Sequence, residues 1–174
     1  MKKTIIIITI IVLILLGMNF KEDYYIIPND SIRLRILANS NSVYDQYIKN
    51  EVKKSLEEEL KETMEESTSL DKARNTISDN LSKYEEKVRK TLEENNYNKE
   101  FTINYGNNYF PEKEYKGVKY EAGEYESLLI TIGEGKGNNW WCVLYPPICT
   151  LEVENNEEVE YKFFIKELFD KYLK

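Results

Sequence analysis

The sequence predicts an α+β fold: a single domain of about four mostly antiparallel strands with three helices, preceded by an N-terminal signal or anchor segment. Three observations carry that reading. Short stretches such as SIRLRILA alternate apolar and polar residues with the period of a strand. Two long charged stretches carry apolar residues every three or four positions, the period of an amphipathic helix. Strand-like and helix-like segments follow one another without an internal repeat, so helices are expected to cover one face of a sheet. The boundaries are residues 1–20 for the signal peptide or membrane anchor, 21–29 for a linker and 30–174 for the folded domain.

The chain opens with MKKTIIIITIIVLILLGMNF. Two lysines precede an apolar run from Ile5 to Leu16 that only Thr9 interrupts. A short positive region before a hydrophobic segment of this length is the pattern of an export signal. The run is shorter than the ~20 residues of a comfortable membrane span, and extending it to Phe20 makes it marginal. No Ala-x-Ala-like site follows, and no nearby cysteine offers a lipid anchor. Cleaved signal and uncleaved tether both stay open. The lysines favour an inside amino terminus with the body delivered outside. A buried helix is the competing reading, and the near-absence of polar residues argues against it.

Within the domain, Ile32, Leu34, Ile36 and Ala38 face one way and Arg33 and Arg35 the other, giving a first strand with one polar face. Ser42 followed by Asp45 suggests a capping box in its Asp variant. Tyr44, Ile48, Val52, Leu56, Leu60 and Met64 then form the stripe of a first helix. A second helix starts near Thr68 or Ser69. Its stripe is Leu70, Ala73, Ile77, Leu81, Tyr84, Val88 and Leu92. This stripe is read as a packing seam, with a free coiled-coil docking helix as the lesser alternative. FTINY at 101–105 is a second strand, and residues 106–123 read as a polar loop or irregular hairpin. EYESLLITI is a third strand, with Leu128, Ile130 and Ile132 sharing a face with Glu126. NWWCVLY is a fourth. A last helix carries Tyr161, Phe164, Ile165, Leu168 and Tyr172.

Charge and chemistry narrow the function. The chain has 24 Lys+Arg, 31 Asp+Glu and no histidine, for a net charge of -7. That balance argues against a generic nucleic-acid surface, and the acidic body would be repelled by anionic lipid. Aromatic content of 13% excludes a wholly disordered chain. Without histidine there is no ready general base, and no Ser/Lys pair has priority by spacing. Glu124 and Glu126 share a strand face and would suit an exported cell-envelope hydrolase, which is the alternative function. Paired carboxylates on a solvated strand are nevertheless common. No metal site, cofactor or small-molecule substrate is expected.

The segment GEGKGNNWWCVLYPPIC holds the candidate partner-binding residues. Gly133, Gly135 and Gly137 match neither G-x-G-x-x-G, since Asn138 stands where the third glycine would be, nor the Walker pattern. Glu134 would also repel a phosphate. A tight turn exposing Glu134 and Lys136 explains the glycines, either as pure structure or as part of a partner surface. Cys142 and Cys149 are the only cysteines. In an exported chain such a pair reads as a disulfide, worth ~2.5 kcal/mol by loop entropy less any strain. Pro146 and Pro147 already stiffen the enclosed loop. The spacing does not suit a C-x-x-C redox site, and metal binding lacks further ligands. Trp140 and Trp141 are adjacent in a strand and face opposite ways. One is expected to be buried, and the other lies under a helix, stacks in the clipped loop or anchors a partner.

The blocks IRLRILANSNSVYDQYIK at 32–49 and AGEYESLLITIGEGKGNNWWCVLYPPIC at 122–149 closely resemble the stage II sporulation protein R family. Arg33, Arg35, Asn39, Ser40, Asp45 and Gln46 match the first family block, and Gly123 to Glu126, Gly133 to Gly135, Gly137, Asn139 to Cys142, Pro146, Pro147 and Cys149 the second. Asn41, Leu129 and Tyr145 depart from the family's frequent Asp, Arg and Phe. The resemblance implies a sporulation signalling domain at 30–174, exported from the forespore to the intermembrane space, secreted or tethered. It implies that the protein activates a membrane-embedded aspartic-type protease of the mother-cell membrane, which processes pro-sigma-E, and that it is not itself an enzyme. The contact surface expected from the residues is the glycine turn, one tryptophan and the Pro-Pro loop, with Arg33 and Arg35 beside them.

Overall fold

The computed structural model describes residues 25–27, 29–64, 67–115, 118–148, 167 and 169–173. The N-terminal signal or anchor segment and Cys149 lie outside the described residues.

The main sheet has four strands in the order β3-β6-β2-β7: β2 is Ile32–Leu37, β3 Phe101–Phe110, β6 Gly123–Ile132 and β7 Asn139–Tyr145. β3 and β6 pair antiparallel, as do β2 and β7, while β2 and β6 run parallel. The parallel pair requires a crossover, and the helices supply it. They are α1 (Val43–Met64), α2 (Leu70–Asp79) and α3 (Leu81–Glu94).

All three helices lie on one sheet face. There Ile32, Leu34 and Ile36 meet Leu128, Ile130 and Ile132 of the sheet and Ile48, Val52, Leu56 and Leu60 of α1. Ala73, Ile77, Tyr84 and Val88 close the layer from α2 and α3. Each fully buried aliphatic side chain contributes roughly 1.5–3 kcal/mol, so these stripes hold the layer together. Tyr44, the first residue of the α1 stripe, stays half exposed.

The expected second helix is two helices. Asn80 interrupts it with φ -102 and ψ 6, and its side-chain amide donates to the Thr76 carbonyl at 2.8 Å. Asparagine closes on the preceding turn in this way because its short amide competes for backbone groups. With the helical residues 169–172, the described residues therefore hold four helical segments instead of three. Of the expected last-helix stripe, Tyr161, Phe164, Ile165 and Leu168 lie outside the described residues.

The other face of the main sheet is also covered at one end. Residues 106–123, read from sequence as a loop or hairpin, instead extend β3 to Phe110 and form β4 (Lys113–Tyr115) and β5 (Val118–Tyr120). The expected linker contributes β1 (Tyr25–Ile26), which pairs parallel with β5. This three-stranded sheet, in the order β1-β5-β4, belongs to a second apolar cluster. Ile27, Tyr120, Val143, Ile148 and Phe169 make up that cluster, and Trp141 packs against it.

Candidate functional site

Two groups of the sequence-selected residues are brought together at different places. The first is the glycine turn between β6 and β7, which is sewn to the loop before α1. The Asn39 side chain accepts from the Glu134 N–H at 3.0 Å and donates to the Asp45 carboxylate at 2.8 Å. Ser40 donates a short hydrogen bond to the same carboxylate, and the Tyr97 hydroxyl donates to its other oxygen at 2.6 Å. The Asp45 N–H in turn donates to Ser42 Oγ at 3.1 Å, the expected helix cap. The capping box is not completed, because the Ser42 N–H donates to Ser40 Oγ at 3.1 Å instead of to the Asp45 carboxylate. The Ser40, Tyr97 and Asn39 donors, Ser40 foremost, hold the Asp45 carboxyl well below the usual carboxylate range.

The turn itself fits closely against this loop. Lys136 N–H donates to the Asn39 carbonyl at 3.1 Å and Gly137 N–H to the Ala38 carbonyl at 2.8 Å. A Cβ on Gly137 would run into the Ser40 carbonyl oxygen. Gly133 has φ +56, and a Cβ there would strike the Asn39 side chain. The glycines therefore serve loop-on-loop packing, while Glu134 and Lys136 remain exposed and pair with each other at 2.7 Å.

The second group lies on the sheet face away from the helices. Arg33 is only 1% exposed. Its guanidinium carbon sits 3.3 Å from the ring centroid of Tyr125, 5.7 Å from that of Phe110 and 5.8 Å from that of Tyr120. Nε, Nη1 and Nη2 have no hydrogen-bond acceptor in good geometry among the described residues, the Tyr125 ring being their nearest polar neighbour. Burial pulls its pKa below the ordinary value, with Tyr125 opposing that shift. Attraction to aromatic faces, about 0.5–2 kcal/mol each, stands where a carboxylate would normally be. Sequence alternation suggested a polar outer face for this strand, and the structure corrects that for Arg33. The small sheet brings Tyr120 over it, Tyr125 flanks it from the neighbouring β6 and Phe110 from β3 beyond.

Arg35 is half-buried on the same face. Its guanidinium lies 5.5 Å from the Phe110 ring and 5.6 Å from the Trp141 ring, and Nη1 donates to the Tyr109 carbonyl at 3.1 Å. Lys113 Nζ lies 5.0 Å from the Trp141 ring. Burial lowers the pKa of both, and for Lys113 the like charge of Arg35 adds to it. Trp141 is half-buried, and its indole N–H is enclosed without an acceptor.

The two tryptophans do face opposite ways. Trp140 packs against the helical core with Lys53 Nζ 4.9 Å from its ring, and it too is half-buried, so neither tryptophan is fully enclosed. Pro146 and Pro147 are buried at the end of β7, which takes them off the exposed surface expected for them. Cys142 is half-buried in β7, and its expected partner Cys149 lies outside the described residues.

Glu124 and Glu126 are not poised as an acid/base pair. Glu126 receives Nε and Nη2 of Arg74 at 3.0 and 2.9 Å and the Tyr105 hydroxyl at 2.7 Å. Burial raises its pKa, but these donors outweigh that and leave it lowered. Glu124 is exposed on its own.

Sequence reasoning missed Phe110, Lys113, Tyr120, Tyr125 and Tyr97. The available signal was the density of aromatics between residues 105 and 125, too high for a solvated loop.

The stage II sporulation protein R family model matches residues 28–155, a span that includes both groups. Stage II sporulation protein R of Bacillus subtilis (strain 168) is 37% identical over 171 residues, covering 92% of this chain and 76% of that protein. No solved structure matches.

Proposed function

Because the chain belongs to the stage II sporulation protein R family, we propose that it works as a signal passed by contact between compartments of a sporulating cell. It is an exported intercompartmental signalling protein in sigma-E precursor processing, and the family it belongs to is not catalytic. The family match over residues 28–155 is the observation that carries this conclusion. The engagement of Glu126 by Arg74 and Tyr105 supports it, since it removes the one carboxylate pair suggested for hydrolysis.

In finer terms, the protein passes from the forespore to the space between the two membranes. There it meets a membrane-embedded aspartic-type protease of the mother cell and switches on its cleavage of pro-sigma-E. Export favours an oxidised Cys142–Cys149 pair, which would clip the end of β7 beside the half-buried Trp141. Of the sequence-selected side chains, Glu134 and Lys136 are exposed and Arg35, Trp140 and Trp141 half-buried, so these retain surface for such a contact.

The test is co-expression of the full chain, the protease and the sigma-factor precursor, beside the same cells expressing a chain without residues 1–20. Cleavage is expected only with the exported chain. Equal cleavage by the form kept inside would defeat the reading.

A further inference from the structure

We propose that Arg35, Lys113 and Trp141, with Arg33 beneath them, form a receptor site for a carboxylate side chain of the protein partner; the inference rests on the contact-signalling reading above. Three cations converge on this face of the sheet. No carboxylate among the described residues pairs with Arg33, Arg35 or Lys113. The charged neighbour that acts on Lys113 is Arg35, a like charge. In a chain of net charge -7, acids are plentiful, yet none among the described residues pairs with these three cations.

The hydrogen-bonding inventory points the same way. Arg33 Nε, Nη1 and Nη2, Arg35 Nε and Trp141 Nε1 are buried donors with no hydrogen-bond acceptor among the described residues. Buried donors of this kind are ordinarily satisfied, and an unpaired buried cation is rarer still. Among the described residues, what the cluster lacks is an anionic acceptor. Arg35, Lys113 and Trp141 are only half-buried, so an incoming group can reach their rim. Their surroundings are already desolvated, which strengthens a charge-assisted N–H···O contact and lowers the cost of forming it. A central arginine and tryptophan are also the side chains that most often dominate protein interfaces.

A carboxylate presented by a protein fits better than an anionic bilayer. A bilayer would meet the whole acidic body and be repelled by it. A single projecting Glu or Asp meets mainly the local field of three cations.

The probes are a short polyglutamate peptide, a polyglutamine peptide of equal length and phosphatidylglycerol vesicles, each titrated calorimetrically into the purified full chain. Polyglutamate is expected to bind, more weakly as salt rises, and polyglutamine not to bind. The double variant Arg35→Gln, Lys113→Gln should weaken binding about tenfold or more, while Lys113→Arg retains it. Equal binding of the two peptides, no binding of polyglutamate, or binding of vesicles alone would overturn the proposal. In the co-expression assay the double variant should cut precursor cleavage about tenfold at an unchanged melting temperature. If the wild type drives cleavage and the folded double variant drives it equally, only this inference falls. If the wild type drives none, the contact-signalling reading falls with it. Should the double variant melt early, Lys113→Gln alone carries the test, with the same two outcomes.

Discussion

The guanidinium carbon of Arg33 lies 3.3 Å from the centroid of the Tyr125 ring, inside the protein and with no carboxylate partner among the described residues. A fold does not need a charge there for its stability. Replacing even a buried ion pair by apolar side chains of similar volume is often neutral or stabilising by about 1–4 kcal/mol, and a buried charge without an ionic partner carries the desolvation cost with less to offset it. Arg33→Met should therefore leave thermal stability unchanged or raise it, while signalling falls. Arg33→Ala should cost about 3 kcal/mol, because it empties the space between Phe110, Tyr120 and Tyr125. Thermal unfolding of the two variants, compared with precursor cleavage, checks both statements.

Asp45 ties the loop before α1 to Tyr97 and, through Asn39, to the glycine turn. Its folded pKa is depressed by Ser40, Tyr97 and Asn39. It therefore stabilises the fold fully above the unfolded aspartate value of about 3.9, and this contribution is lost as pH falls below that toward the folded value. Asp45→Asn should lose about 3 kcal/mol at neutral pH, since hydrogen bonds to a charged group are worth about 1.5–3 kcal/mol each. The variant should also show a flatter loss of stability below pH about 4. Denaturant unfolding at a series of pH values reads both effects.

The glycine turn should tolerate change at its charged tips and not at its glycines. Gly137→Ala would place a methyl group against the Ser40 carbonyl oxygen, and Gly133→Ala would strain a residue at φ +56 beside Asn39. Each should cost about 2 kcal/mol or more. Exchanging Glu134 and Lys136 should leave the melting temperature in place, because the pair is exposed.

Glu126→Gln should weaken the link between α2 and β6 by about 1 kcal/mol, a value kept small because Arg74 is well exposed. Glu124→Gln should be neutral. Neither should reduce signalling beyond the effect on folding. Loss of signalling from a stable Glu124→Gln protein would reopen the hydrolase reading.

The strands were legible where local pattern and tertiary burial agree. Ile32, Leu34 and Ile36 alternate with arginines and are indeed buried against the helices. The stripe of α1 was legible for the same reason. The break at Asn80 was not, since Leu70 through Leu92 keep helical spacing across it and the interruption comes from one amide on one carbonyl. The small sheet escaped because strands of two or three residues carry no usable periodicity. Arg33 was misread for a deeper reason. Alternation separates two faces but says nothing of what covers the second, and here the cover comes from residues 110, 120 and 125. The glycine turn was found correctly as a turn. Its intimate fit to Asn39 and Ser40 depends on residues almost a hundred positions away.

The most direct measurement is cleavage of the sigma-E precursor in mixtures holding the full chain alone, the sigma-E processing machinery alone, and both together. Product is expected only when both are present. Product from the chain alone, or the same yield from the machinery without it, would contradict the claim that this protein signals by contact.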